Sequence, residues 1–77
     1  MDRIDKFIHK LEKDEALHVL TIMERIRGND LQNLDVKKLK GKVNEYRVRI
    51  GKRRIQFRKS DSGNQITYLG NRDDNTY

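Results

Sequence analysis

The sequence predicts an α+β domain, with an N-terminal helical hairpin packed on a small antiparallel β-sheet of three or more strands. Three observations carry that reading. Apolar residues recur at helical spacing through residue 27, apolar and basic residues alternate over 44–59, and turn-forming residues stand at the joins. At 77 residues the chain makes one domain, and with 34% hydrophobic residues its core rests on few large side chains.

The elements follow in order. Over residues 2–13, Ile4, Phe7, Ile8 and Leu11 share one helical stripe. Over 14–27 a second stripe runs through Leu17, Leu20, Met23 and Ile26, with Val19 and Ile22 beside it. The phase slips across Glu12–Glu15, where Asp14 is the expected N-cap of a new helix, and Gly28-Asn29 is a stop signal. A single kinked helix is the alternative to the hairpin. Residues 28–43 lack clean periodicity and read as a connection pinned to the core by Leu31, Leu34, Val36 and Leu39. The sheet is expected over about 44–70. A hairpin turns at Gly51-Lys52, residues 60–64 make a second turn, and 65–70 form a further strand. Residues 71–77 form a C-terminal tail, in which Asn71, Asp73 and Asp74 favour a turn.

The absence of cysteine removes disulfides and thiolate metal sites, and His9 and His18 do not make a zinc site between them. No metal or cofactor is therefore expected. No apolar run approaches the ~20 residues of a membrane span, and no secretory signal opens the chain, so the expectation is a cytoplasmic protein without membrane contact. The formal charge is +6, and it is unevenly placed. Residues 1–28 are balanced, whereas Val36 to Ser60 hold eleven basic residues against the single acid Glu45. So one-sided an excess points to a polyanionic partner.

A turn at Gly51-Lys52 fixes the hairpin register. Val48 then faces Ile55 and Tyr46 faces Phe57 on the side that the helices bury. On the other side Arg49 lies opposite Arg54, Arg47 opposite Gln56 and Glu45 opposite Arg58. Like charges directly across a strand pair are destabilising. An anion held between them relieves the repulsion, so this arginine face is the candidate site.

The fragments "LDVKKLKG" (34–41), "YRVRIGKRRIQF" (46–57) and "GNR" (70–72), with a tyrosine shortly after, resemble the RelE/ParE toxin superfamily of type II toxin–antitoxin systems. The resemblance covers about residues 2–77 and is strongest from Leu34 to Phe57. It implies an mRNA interferase of the RelE branch, an endoribonuclease cleaving mRNA in the ribosomal A site, against ribosomal RNA, and silenced by a cognate antitoxin protein. It also implies basic site residues at Arg47 and Arg49, arginines at Arg54 and Arg72, and a functional tyrosine at Tyr77. Several family members have lysine at the first two positions, so a proton-carrying role is lost there. The family's usual strand before the helices is missing, which predicts a sheet one strand short or a start upstream of Met1. The chain stops at Tyr77, which sets a terminal carboxylate beside that phenol.

RNA cleavage without a metal requires activation of the 2′-hydroxyl, stabilisation of the phosphorane and protonation of the leaving 5′-oxygen. Arginine suits the second task through its planar, permanently charged fork, but cannot act as a base. Tyr77 is then the best general base, with Arg54 or Arg72 clamping the phosphate and Arg49 neutralising the transition state. Lys37, Lys38, Lys40, Lys42, Lys52 and Arg53 add phosphate contacts that give affinity without sequence choice. Two alternatives stand beside this reading: a ParE-like inhibitor of DNA gyrase without a nuclease site, and a degenerate RelE homologue that only binds antitoxin or RNA.

Overall fold

In the computed structural model the structure describes residues 3–71. Two helices, α1 (Arg3–His9) and α2 (Lys13–Arg27), precede four strands, β1 (Asp35–Lys38), β2 (Glu45–Ile50), β3 (Arg53–Ser60) and β4 (Gly63–Asn71). The strands form one antiparallel sheet in the order β1-β2-β3-β4, with the helices packed on one face. The helical hairpin and the α+β architecture thus agree with the sequence reading.

The stripe on α2 needs correction. Its buried residues are Val19, Ile22, Met23 and Ile26, whereas Leu17 and Leu20 are 55% and 41% exposed. Steps of three drift backward around a helix turning about 100° per residue. Leu17, nine positions before Ile26, therefore points about 180° away from it. The observed set follows the i, i+3, i+4, i+7 pattern of a core-facing helix. Asp14 is not the N-cap either. Glu12 takes that position with an extended backbone and no side-chain cap, leaving Asp14 and Glu15 in the first turn, where carboxylates suit the helix dipole.

At the other end Gly28 is the C-cap, but the left-handed residue is Asn29, with φ 58°. The amides of Asn29 and Asp30 bond back to the carbonyls of Ile26 and Arg25, at 3.0 and 2.8 Å. This is the Schellman closure, with asparagine where glycine is more usual. The Asn64 side-chain amide of β4 donates to the Ile26 carbonyl at 2.9 Å and ties the helix end to the sheet.

The segment 28–43 is not merely a connection, because it contains β1, which makes the sheet four-stranded. Val36 of β1 pairs with Val48 on the helix side, and Leu31 and Leu34 also pack against the core. A four-residue, mostly charged strand protects an edge from pairing with other chains. The hairpin register is as expected throughout, from Glu45↔Arg58 to Ile50↔Arg53. Gly51 has φ +54° at the first turn position while Lys52 does not enter positive φ, the pattern of a II′ turn.

Val48, Ile55 and Phe57 are fully buried in the core with α2, and Leu69 of β4 is buried beside them. Tyr46 stacks on Phe57 directly across the strands, with ring centroids 5.5 Å apart, and Lys59 Nζ lies 4.9 Å from the Tyr46 ring centroid. Tyr46 is thus committed to packing. A bulge breaks the β3–β4 ladder after Gln56: Gln56 pairs with Tyr68 and Phe57 with Ile66, leaving Thr67 as the extra residue. Both Ile66 and Leu69 consequently reach the helix side.

Candidate functional site

The sheet face turned away from the helices is built from residues that alternate with the core set. One row across the strands reads Asp35, Arg49, Arg54, Gly70, and the next reads Lys37, Arg47, Gln56, Tyr68. The structure therefore brings Arg47, Arg49 and Arg54 together, with Lys37 beside them. Tyr68 of β4, paired with Gln56, belongs here as well. Its signal was present but masked by the bulge, which reverses the alternation part-way along β4.

Tyr68 leans over Gly70. A Cβ on Gly70 would lie 2.2 Å from the Tyr68 hydroxyl oxygen and 2.6 Å from Cζ, so only glycine admits this ring position. Because Gly70 pairs directly with Arg54, the ring arrives beside that arginine, whose guanidinium carbon is 5.7 Å from the ring centroid. Arg54 is only 5% exposed. Strand parity implied an arginine on an open face, whereas Arg54 is sequestered on that face partly by Tyr68.

Arg47 and Arg49 are half-buried, and neither is ion-paired to a carboxylate among the described residues. The Arg47 Nε is buried and has no hydrogen-bond acceptor among them. An unsatisfied buried donor costs roughly 1–3 kcal/mol, which an arriving anion would recover. Farther along the face, Glu45 and Arg58 form a loose ion pair at 3.7 Å.

Arg53 has to be removed from the RNA-binding set. It lies on the helix side of β3, where Nε and Nη2 donate to the two Glu15 carboxylate oxygens at 2.8 and 2.9 Å. It also donates to the Asn71 side chain and sits 5.5 Å from the Phe7 centroid. The hydrogen bond from Arg53 holds the Glu15 carboxyl below its ordinary range, and the same bond raises Arg53. Lys38 pairs with Tyr46 and so is on the helix-side parity of β1, away from the arginine rows. Lys40, Lys42 and Lys52 are exposed in the loops flanking β2. Arg72 and Tyr77, expected in the catalytic set, lie outside the described residues.

In comparisons with known proteins, no family model matches the chain, and neither a curated protein nor a solved structure does. Function therefore rests on the site's own chemistry. Among the described residues no group of three or more His, Cys, Asp or Glu side chains is placed to hold a metal ion, and no helix is long and apolar enough to cross a membrane. What the arrangement offers is a fixed array of guanidinium donors beside a phenol. Such an array matches phosphate oxygens in shape and charge.

Proposed function

We propose that this chain is a ribosome-dependent mRNA endoribonuclease, the RelE-like toxin of a type II toxin–antitoxin pair, acting through its arginine face. The observation that carries the proposal is the clustering of Arg47, Arg49 and Arg54 on the sheet face away from the helices, with Arg49 directly opposite Arg54. A sheet that needs no anion gains nothing from such repulsion. The order of helical hairpin and antiparallel strands supports the same reading, as do the sequence fragments that resemble the family.

In this mechanism the ribose 2′-hydroxyl attacks the adjacent phosphorus while the 5′-oxygen leaves. A 2′,3′-cyclic phosphate and a 5′-hydroxyl result. Arg49 and Arg54 stabilise the charge gathering on the phosphorane oxygens, and Arg47 supplies a further donor to the backbone. Tyr77, as its phenolate, takes the 2′ proton, a water molecule protonates the departing 5′-oxygen, and Arg72 shares the phosphate clamp. A cognate antitoxin silences the protein by covering this face with acidic groups.

The test incubates purified protein with translating ribosomes and maps mRNA ends by primer extension. Cleavage should require the ribosome and should fall about 10²–10³-fold in Arg49→Ala, the usual loss for one transition-state donor. Tyr77→Phe should fall about 10²–10⁴-fold with ribosome binding retained. A folded, unmutated protein that cuts no mRNA refutes the proposal. Gyrase inhibition by that same protein would establish the ParE-like alternative instead.

A further inference from the structure

A second basic surface lies round the β4 edge from the arginine face. Between α1 and β4 runs a cleft of about 310 Å³ lined by Arg3, Lys6, Phe7, Lys10, Tyr68 and the Leu69–Asn71 backbone segment. The three cations stand at i, i+3 and i+7, which places them on one side of the helix and the turn that continues it. All three are exposed, none is ion-paired among the described residues, and no described residue lining the cleft carries a carboxylate. This is unexpected in the charge-balanced N-terminal part of the chain. Three acids of that region are directed elsewhere: Glu15 to Arg53, Glu24 to Arg27, and Asp5 to another groove beside Ile4 and Ile8.

Tyr68 links the two surfaces. It lines this cleft and also lies against Arg54 on the arginine face. We infer that a single-stranded RNA on the arginine face continues past Tyr68 and round the β4 edge into this cleft, where Arg3, Lys6 and Lys10 hold its phosphodiester backbone. The inference rests on the proposed reading for the strand's presence on the sheet, but it concerns binding alone. Exposed, strongly hydrated ammonium groups suit backbone phosphates without base selection. The cleft therefore extends the footprint and leaves sequence choice unaffected.

The experiment measures binding of 2′-O-methyl oligouridylates, which cannot undergo the cleavage reaction, to the full chain across a salt series. Probes of roughly four and roughly twelve nucleotides bracket the footprint of a small single-strand binder. Lys6→Gln with Lys10→Gln retains good helix-forming residues. Lys13→Gln with Arg27→Gln removes the same charge at two positions outside the cleft lining.

The cleft pair should weaken the longer probe about 10-fold near 0.1 M salt. It should lower the salt slope by about 1.4, as expected for two phosphate contacts on a single strand. The shorter probe should be little affected, and the control pair should leave both unchanged. Equal losses in the two pairs would reduce the effect to net charge and overturn the inference. So would a polyglutamate probe that responds to the cleft pair when the oligouridylate does not. Cleavage on ribosomes with no binding change in the cleft pair sinks this inference alone, whereas the expected binding pattern without cleavage sinks only the nuclease reading.

Discussion

Gly70→Ala tests the geometry that joins Tyr68 to Arg54. The three atoms nearest the new methyl group would all belong to the Tyr68 ring, at 2.2, 2.6 and 2.9 Å, separations that real side chains do not tolerate. The ring is the far end of a side chain, so it should swing aside and the backbone should hold. Swinging aside forfeits the contact between the Arg54 guanidinium and the ring, worth about 0.5–1 kcal/mol when exposed and ~2 when desolvated. Arg54 is 5% exposed, which favours the upper half of that range. Against this loss stands the roughly 0.5–1 kcal/mol that Ala gains over Gly within a strand. The net expectation is a loss of about 1 kcal/mol, or a fall of about 4–8 °C in Tm for a domain of this size.

The decisive comparison is a double-mutant cycle by thermal and urea denaturation. In a Tyr68→Ala background the clash is gone, so Gly70→Ala should become neutral or stabilising. The coupling energy should be about 1–2 kcal/mol, characteristic of residues in direct contact. If Gly70→Ala costs the same in both backgrounds, Tyr68 does not occupy the space above Gly70, and the site geometry described here is wrong.

Arg49→Ala should leave stability level or raise it by up to about 1 kcal/mol, because it removes a like-charged cross-strand neighbour of Arg54; a clear fall in Tm would contradict the repulsion. Phe57→Ala, at a fully buried position, should cost about 3–5 kcal/mol. Against a total of roughly 4–12 kcal/mol for a chain of this length, circular dichroism should show marked loss of cooperative folding. Glu15→Gln should lower Tm at neutral pH. The folded carboxyl is held below its unfolded value, so its stabilisation is present above that value and lost as pH falls through the folded one. Melts of the two proteins should therefore converge in acid, and a gap that persists there would remove Glu15 ionisation as the cause.

Much of the arginine face was legible because a two-residue turn and a period-two pattern leave one register. Gly51-Lys52 could close only the pairing that sets Arg49 against Arg54 and Val48 against Ile55, and local rules suffice for that. The two helices were legible from their apolar spacing, and the structure decided for a hairpin over one kinked helix. The burying face of α2 was harder, because Leu17 and Leu20 are as apolar as the residues chosen, and only contact with the sheet selects Val19 and Ile22.

Three features needed the tertiary structure. The strand β1 is four residues with one apolar side chain, too short to show an alternation, and it exists because β2 offers it a ladder. Arg53 and Arg54 are neighbours of identical type, yet strand parity sends one to Glu15 and the other beneath Tyr68. In β4 the apolar residues Ile66 and Leu69 stand three apart, an odd spacing that no regular strand can place on one face. The bulge at Thr67 resolves it by spending one residue outside the ladder, which puts both on the core and turns Tyr68 toward the arginines. The sequence by itself determined the alternation and the charge. Where that alternation had to break, the demand of the core for both Ile66 and Leu69 decided the outcome, and the position of Tyr68 followed from it.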